Sequence, residues 1–190
     1  MESLVERAGG VGVTPVRLTA RLTIPVRTLT VAFGRATPDR LKPGVLPATY
    51  TSKPLVSVGG DAMFGELALV RTLERDGWEG VWVDTFHGRR FWRGMPHRSA
   101  PVSLSPAARV RYDAVVAANG GRASGFFDVL AWRGGQFVHL EYEGAGDRAN
   151  RNALRWMAAA LDAGVTPGEL WIVQHPDARA RAFGDPAGGA

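Results

Sequence analysis

The sequence predicts an α/β protein in which a mixed β-sheet is flanked by helices. Two apolar-rich runs are joined by Arg133-Gly134-Gly135, which is a β-hairpin signal. Segments with an apolar stripe at helical spacing, residues 61–76 and 148–163, precede and follow that hairpin. The resulting order of helix, strand, strand, strand, helix and strand is typical of an α/β domain.

The first 58 residues are rich in Thr, Arg, Val and Pro. Apolar residues alternate from Val16 to Ile24, which suits a strand that Pro25 would break or bulge. We therefore treat residues 1–58 as an N-terminal arm, strand-rich or partly disordered. It either pairs as a hairpin or lies loosely on the surface.

An α/β core is expected to follow this arm, over residues 59–176. Asp61 is a suitable N-cap for a helix that runs to about residue 76 and ends at Gly77. Residues 79–84 form the next short strand. After the hairpin strands, 126–132 and 136–143, the second helix is closed by glycine and proline, and 169–174 form the last strand. Residues 177–190 are expected to be a flexible tail.

Residues 85–124 are predicted to be a basic insertion of short or irregular structure, because they contain three prolines and a turn at Asn119-Gly120-Gly121. Between residues 85 and 112 there are six arginines and no acidic residue. Aromatic residues are interleaved with them: Phe86, Phe91, Trp92 and Tyr112. This pattern suits a surface that neutralises phosphates and stacks on bases, and it equally suits a solvated loop.

Length and composition limit the possible protein classes. A chain of 190 residues corresponds to roughly one domain, and its 23 basic and 18 acidic residues give a net charge of +5. The absence of cysteine excludes a disulfide scaffold, a cysteine nucleophile, an iron–sulfur cluster and a thiolate zinc site. No run approaches the roughly 18 apolar residues of a membrane span, and the first ten residues do not resemble a secretory signal. We expect a cytoplasmic protein without a membrane partner and possibly homo-oligomeric.

Glu66 is the first candidate functional residue. On a helical wheel it lies at the centre of an apolar arc, so its side chain should point inward. A carboxylate in such a stripe must be paired, protonated or bound to a cation. A structural glutamate that bonds to an arginine or to backbone is the alternative.

The predicted hairpin carries the other candidate carboxylates. His139, Glu141 and Glu143 share one face of a strand, and Asp128 lies within cross-strand reach of that face. Carboxylates at close range repel one another unless a cation lies among them, and hard oxygen ligands select Mg²⁺ or Mn²⁺. A solvated polar sheet face is the alternative. His139 could act as a base beside Glu141 or be a hydrogen-bonded structural residue.

These acidic residues resemble those of the PD-(D/E)XK nuclease superfamily. Glu66 on a first helix, Asp128 on a strand and Glu141-Tyr142-Glu143 on the next strand follow the order typical of that superfamily. The resemblance covers about residues 61–175. It implies a restriction-endonuclease-like core, an α-β-β-β-α-β mixed sheet flanked by helices.

The stretch from residues 127–130 through 141–148, with Trp156 on the following helix, is more particularly similar to the VRR-NUC-like branch. There an acidic-x-Lys strand leads into a Gly-x-Gly-Asp-Arg turn and a helix that bears Gln and Trp. This sequence departs from the pattern at two positions. Glu143 stands where the family has its catalytic Lys, and Ala153 stands where it has Gln.

The resemblance implies a divalent-metal-dependent nuclease, an endonuclease or exonuclease that hydrolyses phosphodiester bonds in DNA. Asp128 and Glu141 would hold Mg²⁺ or Mn²⁺ together with the backbone carbonyl of Tyr142. Glu66 and Glu143 would position or deprotonate the attacking water, or help to hold a second ion. The alternative is a catalytically silent nuclease-fold module that binds nucleic acid or a protein partner, because Glu143 reverses a charge that the chemistry uses.

Arginines on the second helix could replace part of the missing positive charge. Arg148, Arg151 and Arg155 fall within about 60° of one another on a helical wheel and form a basic stripe beside the apolar face. Their planar guanidinium groups match phosphate oxygens, although such a stripe can simply be solvated. With the insertion, the predicted nucleic-acid-binding residues are Arg89, Arg90, Arg93, Arg148, Arg151 and Arg155.

Overall fold

The structure is a computed structural model that describes residues 1–36, 50, 53–144 and 151–178. Its helices are α1 (Glu2–Ala8), α2 (Gly65–Arg75), α3 (Pro106–Ala118) and α4 (Arg151–Asp162). Its strands are β1 (Gly12–Arg17), β2 (Thr23–Thr30), β3 (Gly34–Arg35), β4 (Leu55–Val58), β5 (Asp61–Phe64), β6 (Glu79–Asp84), β7 (Arg90–Trp92), β8 (Val129–Arg133), β9 (Gln136–Glu143) and β10 (Leu170–Gln174). No helix in these ranges has the length and apolar character needed to cross a bilayer.

The main sheet has seven strands in the order β1-β2-β10-β9-β8-β6-β7, and β3-β4-β5 form a second, smaller sheet. Strand β10 runs parallel to both β2 and β9, whereas the other neighbours in the main sheet are antiparallel. The predicted mixed sheet flanked by helices is therefore confirmed.

Two apolar layers cover the two faces of the main sheet. Leu4 of α1 and Leu67 of α2 are fully buried in one layer, which also receives Leu140 of β9. Tyr112 of α3 and Trp156 of α4 are buried in the other. Because side chains alternate along a strand, neighbouring residues of each central strand contribute to different layers.

The first 36 residues form part of the main sheet. The strand predicted to run from Val16 to Ile24 is instead a hairpin, β1 and β2, joined by a turn, and this is the paired alternative for the arm. Pro25 does not break β2, because it lies opposite Pro15 and precedes the part of β2 that bonds to β10. Strand β2 and α1 thus pack with residues of the predicted core domain.

The first predicted helix begins later than expected. Residues 61–64 form β5, and α2 begins at Gly65, so the prediction of Asp61 as an N-cap is wrong. Gly59 and Gly60 have φ values of 62° and 90° and form the two-residue turn of the β4–β5 hairpin. The backbone N–H and C=O groups of residues 61–64 pair with β4, so they are not available to start a helix.

The insertion is more regular than predicted. Strand β7 extends the sheet beside β6, and α3 is a helix of 13 residues that packs against α4. Pro106 occupies the first turn of α3, where a missing N–H costs nothing, and the Ser105 side chain accepts a bond from Ala108 N at 3.3 Å. The proline that suggested irregular structure therefore helps to start a helix.

The second half of the predicted core is confirmed in outline. Strands β8 and β9 pair around Gly134 and Gly135, whose φ values of 54° and 82° suit a tight hairpin turn. Helix α4 and β10 follow in the predicted order. Of the predicted tail, only residues 177 and 178 are described.

Candidate functional site

Acidic residues gather at one end of the main sheet. Asp84 ends β6, Asp128 immediately precedes β8, and Glu143 ends β9. Because β6 and β9 are both antiparallel to β8, these positions lie at the same end of the sheet. We call this the acidic end.

Asp128 and Glu141 form a cross-strand pair at the acidic end. The ladder pairs Val129 with Leu140, so one step further along Asp128 lies opposite Glu141. Side chains directly opposite one another on a sheet have Cβ atoms about 5 Å apart. The backbone N–H of Tyr142 donates to Asp128 Oδ2 at 2.9 Å, which fixes one oxygen of this carboxylate. Both acids are partly buried.

These two carboxylates, with the backbone carbonyl of Tyr142, are the hard oxygen donors that Mg²⁺ and Mn²⁺ prefer. In chemical type these donors suit one such ion. Among the described residues, no group of three or more His, Asp or Glu side chains is placed to hold a metal ion. A larger carboxylate cluster is therefore not present in that part of the chain.

Glu143, where the nuclease resemblance calls for Lys, is buried and accepts a hydrogen bond from Gln174. The Gln174 amide Nε2 donates to Glu143 Oε2 at 2.6 Å, and the His175 N–H donates to the Glu143 carbonyl at 2.8 Å. Gln174 is the register partner of Glu143 across the parallel β9–β10 pair. The carboxylate of Glu143 thus tethers the ends of two strands.

Glu66 lies at the start of α2, which packs on the face of the main sheet opposite to Glu141 and Glu143. An ideal Cβ on Gly65 would lie 2.1 Å from Tyr142 Cε1, so the tyrosine ring packs directly on the start of α2. Since neighbouring side chains of β9 point to opposite faces, Glu141 and Glu143 point toward the layer of α3 and α4 instead. Of the four carboxylates predicted to share a pocket, the described residues bring only Asp128 and Glu141 into register.

Lys53 is the partner of Glu66, and it was not identified from the sequence. Glu66 is 4% exposed, as its place in the apolar arc predicted. Lys53 Nζ donates to Glu66 Oε1, and the same ammonium lies 4.9 Å from the centre of the Trp82 ring. Both line a cavity of about 270 Å³ that also contacts Tyr142. A buried carboxylate requires such a cation. The helical pattern around Glu66 did not indicate that the cation would come from the residues before β4.

Asp84 is the centre of a second cluster that was missed. Its carboxylate is 3% exposed and accepts the Tyr50 hydroxyl at 2.7 Å and the backbone N–H groups of Phe86 and His87 at 3.1 Å each. His87 Nδ1 lies 3.0 Å from the same carboxylate. Burial raises the pKa of Asp84, but the hydrogen bonds from Tyr50 and His87 outweigh it and hold the pKa below its ordinary value.

The sequence held one signal for this cluster. Asp84 ends a buried strand and precedes a polar turn, a position at which aspartate commonly accepts bonds from the backbone two or three residues on. The contact with Tyr50 joins residues 34 apart in the sequence and has no local signal.

His139 is a structural residue. Its side chain is fully buried, and its ring lies 5.3 Å from Phe127 and 6.2 Å from Phe126. Burial, together with the nearby guanidinium of Arg111, lowers the pKa of His139 to about 3. The imidazole is therefore neutral at physiological pH and has no route to solvent through which to act as a base beside Glu141.

The predicted nucleic-acid-binding arginines separate into different environments. Arg93 donates to Glu74 of α2 through Nε at 3.0 Å and Nη2 at 2.7 Å. Arg155 donates to the Ser124 carbonyl at 3.3 Å. Arg89, in the loop between β6 and β7, and Arg90, the first residue of β7, are exposed. Arg148 and the side chain of Arg151 lie outside the described part, so the predicted stripe on α4 reduces to Arg155 there.

A groove wider than the cavity beside Lys53 lies elsewhere. It has a volume of about 990 Å³, runs between α1 and the starts of β9 and β10, and is walled by Trp78 and Trp171. Arg27 covers the ring of Trp171 and Arg133 covers that of Trp78, each at 5.0 Å. Size alone would select this groove, but it lies away from the paired carboxylates, so we take the acidic end as the candidate site.

Comparison with protein-family models, with curated proteins and with solved structures found no match to this chain. The chemistry of the acidic end is therefore inferred from its geometry and from the sequence pattern.

Proposed function

We propose that this protein is a divalent-metal-dependent nuclease that hydrolyses phosphodiester bonds in DNA. The observation that carries the proposal is the Asp128–Glu141 pair at the end of a mixed sheet. The order α2, β6, β8, β9, α4 and β10 supports it, because it matches the α-β-β-β-α-β core implied by the resemblance, with β7 and α3 inserted after β6.

Asp128 and Glu141 would hold Mg²⁺ or Mn²⁺ with the carbonyl of Tyr142, and the ion would polarise the scissile phosphate. The Tyr142 N–H keeps Asp128 in place, so the pair is already oriented before a ligand binds. Lys53 neutralises the buried carboxylate of Glu66 on the other face of the sheet.

The test is cleavage of supercoiled plasmid, linear duplex and single-stranded DNA with Mg²⁺, with Mn²⁺ and with EDTA. We expect metal-dependent cleavage that falls to background in Asp128→Asn and in Glu141→Gln. Glu79→Gln, at the exposed start of β6 and far from the acidic end, is the matched control and should cleave like the wild type. Cleavage that survives EDTA, or that is equal in wild type and Glu141→Gln, would contradict the proposal.

A catalytically silent nuclease-fold module is the second candidate, and Glu143 is the observation that favours it. A carboxylate replaces the expected ammonium and is engaged by Gln174, which ties the ends of β9 and β10 together. This candidate predicts salt-sensitive DNA binding without turnover.

Thermal unfolding with added Mg²⁺ or Mn²⁺ separates the two candidates. A nuclease that binds the ion should gain thermal stability, and Asp128→Asn should abolish the gain. An unchanged melting temperature, together with DNA binding and no cleavage by the wild type, would favour the silent module.

A further inference from the structure

One aromatic ring of the basic insertion differs from all the others. Phe91, Trp92 and Tyr112 are 4%, 3% and 3% exposed and belong to the apolar layers. Phe86 is 84% exposed, the highest value among the exposed large apolar residues of the described chain. Three of the four rings predicted as candidates for base stacking are therefore core residues. Phe86 is the remaining candidate.

The loop that carries Phe86 is held by specific hydrogen bonds. The buried carboxylate of Asp84 accepts from the backbone N–H of Phe86 itself, and Thr85 Oγ1 accepts from Gly125 N at 3.0 Å. His87 packs edge-on against the Phe86 ring with 4.9 Å between centroids. An ordered turn thus presents an apolar ring to solvent.

This loop lies beside the acidic end. The Val83 N–H, one residue before Asp84, donates to the Asp128 carbonyl at 2.8 Å. The segment that leads into Phe86 is therefore hydrogen-bonded to the residue that carries one of the paired carboxylates.

The end of this loop and the first residue of β7 carry exposed positive charge. Arg89 and Arg90 are both exposed, and neither forms an ion pair with another described residue. Arg89 has φ of 59°, the one positive value among the described non-glycine residues. Such a backbone conformation is uncommon for a side chain as long as arginine and marks the position as functionally interesting.

We propose that Phe86 stacks on an unpaired base of DNA while Arg89 and Arg90 neutralise the adjoining phosphates. This inference rests on the proposed function and sharpens its substrate class to DNA with a single-stranded or splayed segment at the acidic end. Every base has a flat π-face that a phenylalanine can cover, whereas bases in a duplex are already stacked. The arginines supply the sequence-independent attraction to the backbone.

The test measures binding in EDTA, so that cleavage does not enter the result. Three fluorescent probes of equal length are titrated: an oligothymidine of about 20 nucleotides, the same backbone with abasic sites, and a duplex. The variants are Phe86→Ala, Phe86→Tyr and Arg89→Ala. Val110→Ala is the matched control, because Val110 is also exposed, at 70%, but lies on α3.

We expect Phe86→Ala to weaken binding of oligothymidine about 10-fold and to change binding of the abasic strand and the duplex much less. Phe86→Tyr should restore the affinity, and Val110→Ala should behave as wild type. Arg89→Ala should weaken binding of all three probes and reduce the slope of log affinity against log salt for the single strand by about 0.7.

Equal affinity of wild type and Phe86→Ala for oligothymidine, or equal losses on the abasic strand, would overturn the inference while leaving metal-dependent cleavage untouched. Phe86-dependent binding in a protein that never cleaves would sustain this inference and defeat the nuclease proposal instead. No binding to any of the three probes would overturn this inference, and the cleavage assay alone would then decide the nuclease proposal.

Discussion

Two parts of the basic insertion both mix arginines with aromatic rings but differ in structure. Residues 85–90, which we call the exposed half, hold Phe86, Arg89 and Arg90 in solvent. Residues 91–112, the buried half, bury their rings, and three of their four arginines contact acids or rings of the protein. Arg111 donates to Glu169 and covers Phe137 at 5.3 Å, and Arg109 covers Phe91 at 5.2 Å. An arginine-rich stretch therefore indicates a ligand surface only where internal acids and rings do not already engage its side chains.

The largest expected effect comes from Asp84, on which the exposed half depends. Asp84→Ala leaves the Tyr50 hydroxyl, two backbone N–H groups and the His87 ring without their buried acceptor. We expect a loss of about 3–5 kcal/mol in the free energy of unfolding, because each unsatisfied buried donor costs about 1–3 kcal/mol and neighbours relax in part. Urea denaturation measures it.

Asp162→Ala is the control for that measurement, because Asp162 is an exposed residue at the end of α4 and should change stability little. A loss at Asp84 no greater than at Asp162 would mean that the loop does not depend on this carboxylate.

Arg111 and Arg89 should show opposite phenotypes. Arg111→Ala removes a partly buried partner of Glu169, and we expect it to lower the free energy of unfolding by about 2 kcal/mol with little effect on DNA binding. Arg89→Ala should leave stability within about 0.5 kcal/mol and weaken DNA binding. Denaturation and binding titrations on the two purified variants check this reversal, and similar profiles for both would remove the distinction between the two halves.

The protein should also be sensitive to mild acid through His139 of β9, which lies near Arg111 of the buried half. Its pKa falls from 6.5 to about 3 on folding, so below pH 6.5 the unfolded chain binds a proton that the folded chain does not bind. Stability should therefore decline by about 1.4 kcal/mol per pH unit below 6.5, or about 2 kcal/mol at pH 5, and this decline should end near the folded pKa.

His139→Leu should flatten that decline. The measurement is the difference between wild type and variant in free energy of unfolding from pH 7 to pH 4, because His97, whose pKa burial also lowers, contributes with the same sign in both proteins. Parallel curves would show that His139 does not titrate in this way.

Local signals predicted the parts of the fold in which the relevant bonds are local. The β8–β9 hairpin follows from two apolar runs around Gly134 and Gly135, and the prediction that Asp128 lies within cross-strand reach of the face with Glu141 is confirmed. Predictions were wrong where the same residues are compatible with two different local structures. Gly59-Gly60 starts no helix because it turns a hairpin, and Pro106 breaks no helix because it lies in the first turn.

The partners within the candidate site could not be predicted. Burial of Glu66 followed from its helical position, but its partner Lys53 comes from a different segment, and Tyr50 reaches Asp84 across 34 residues. A hydrophobic period of two or 3.6 residues predicts on which face of a strand or helix a side chain lies. It does not predict which residue of a distant segment contacts that side chain. Exposure of Phe86 beside three buried rings is likewise a property of packing rather than of composition.

The smallest expected effect concerns Arg93, which lies next to the boundary between the two halves. Its side chain is 47% exposed and bonds to Glu74 of α2, whose carboxylate is also engaged by Arg71. Arg93→Ala should cost only about 0.5 kcal/mol of stability, as expected for a surface ion pair. DNA affinity should fall less than in Arg89→Ala, because Glu74 already neutralises this guanidinium. An equal or larger loss of binding in Arg93→Ala would extend the DNA surface past the end of β7.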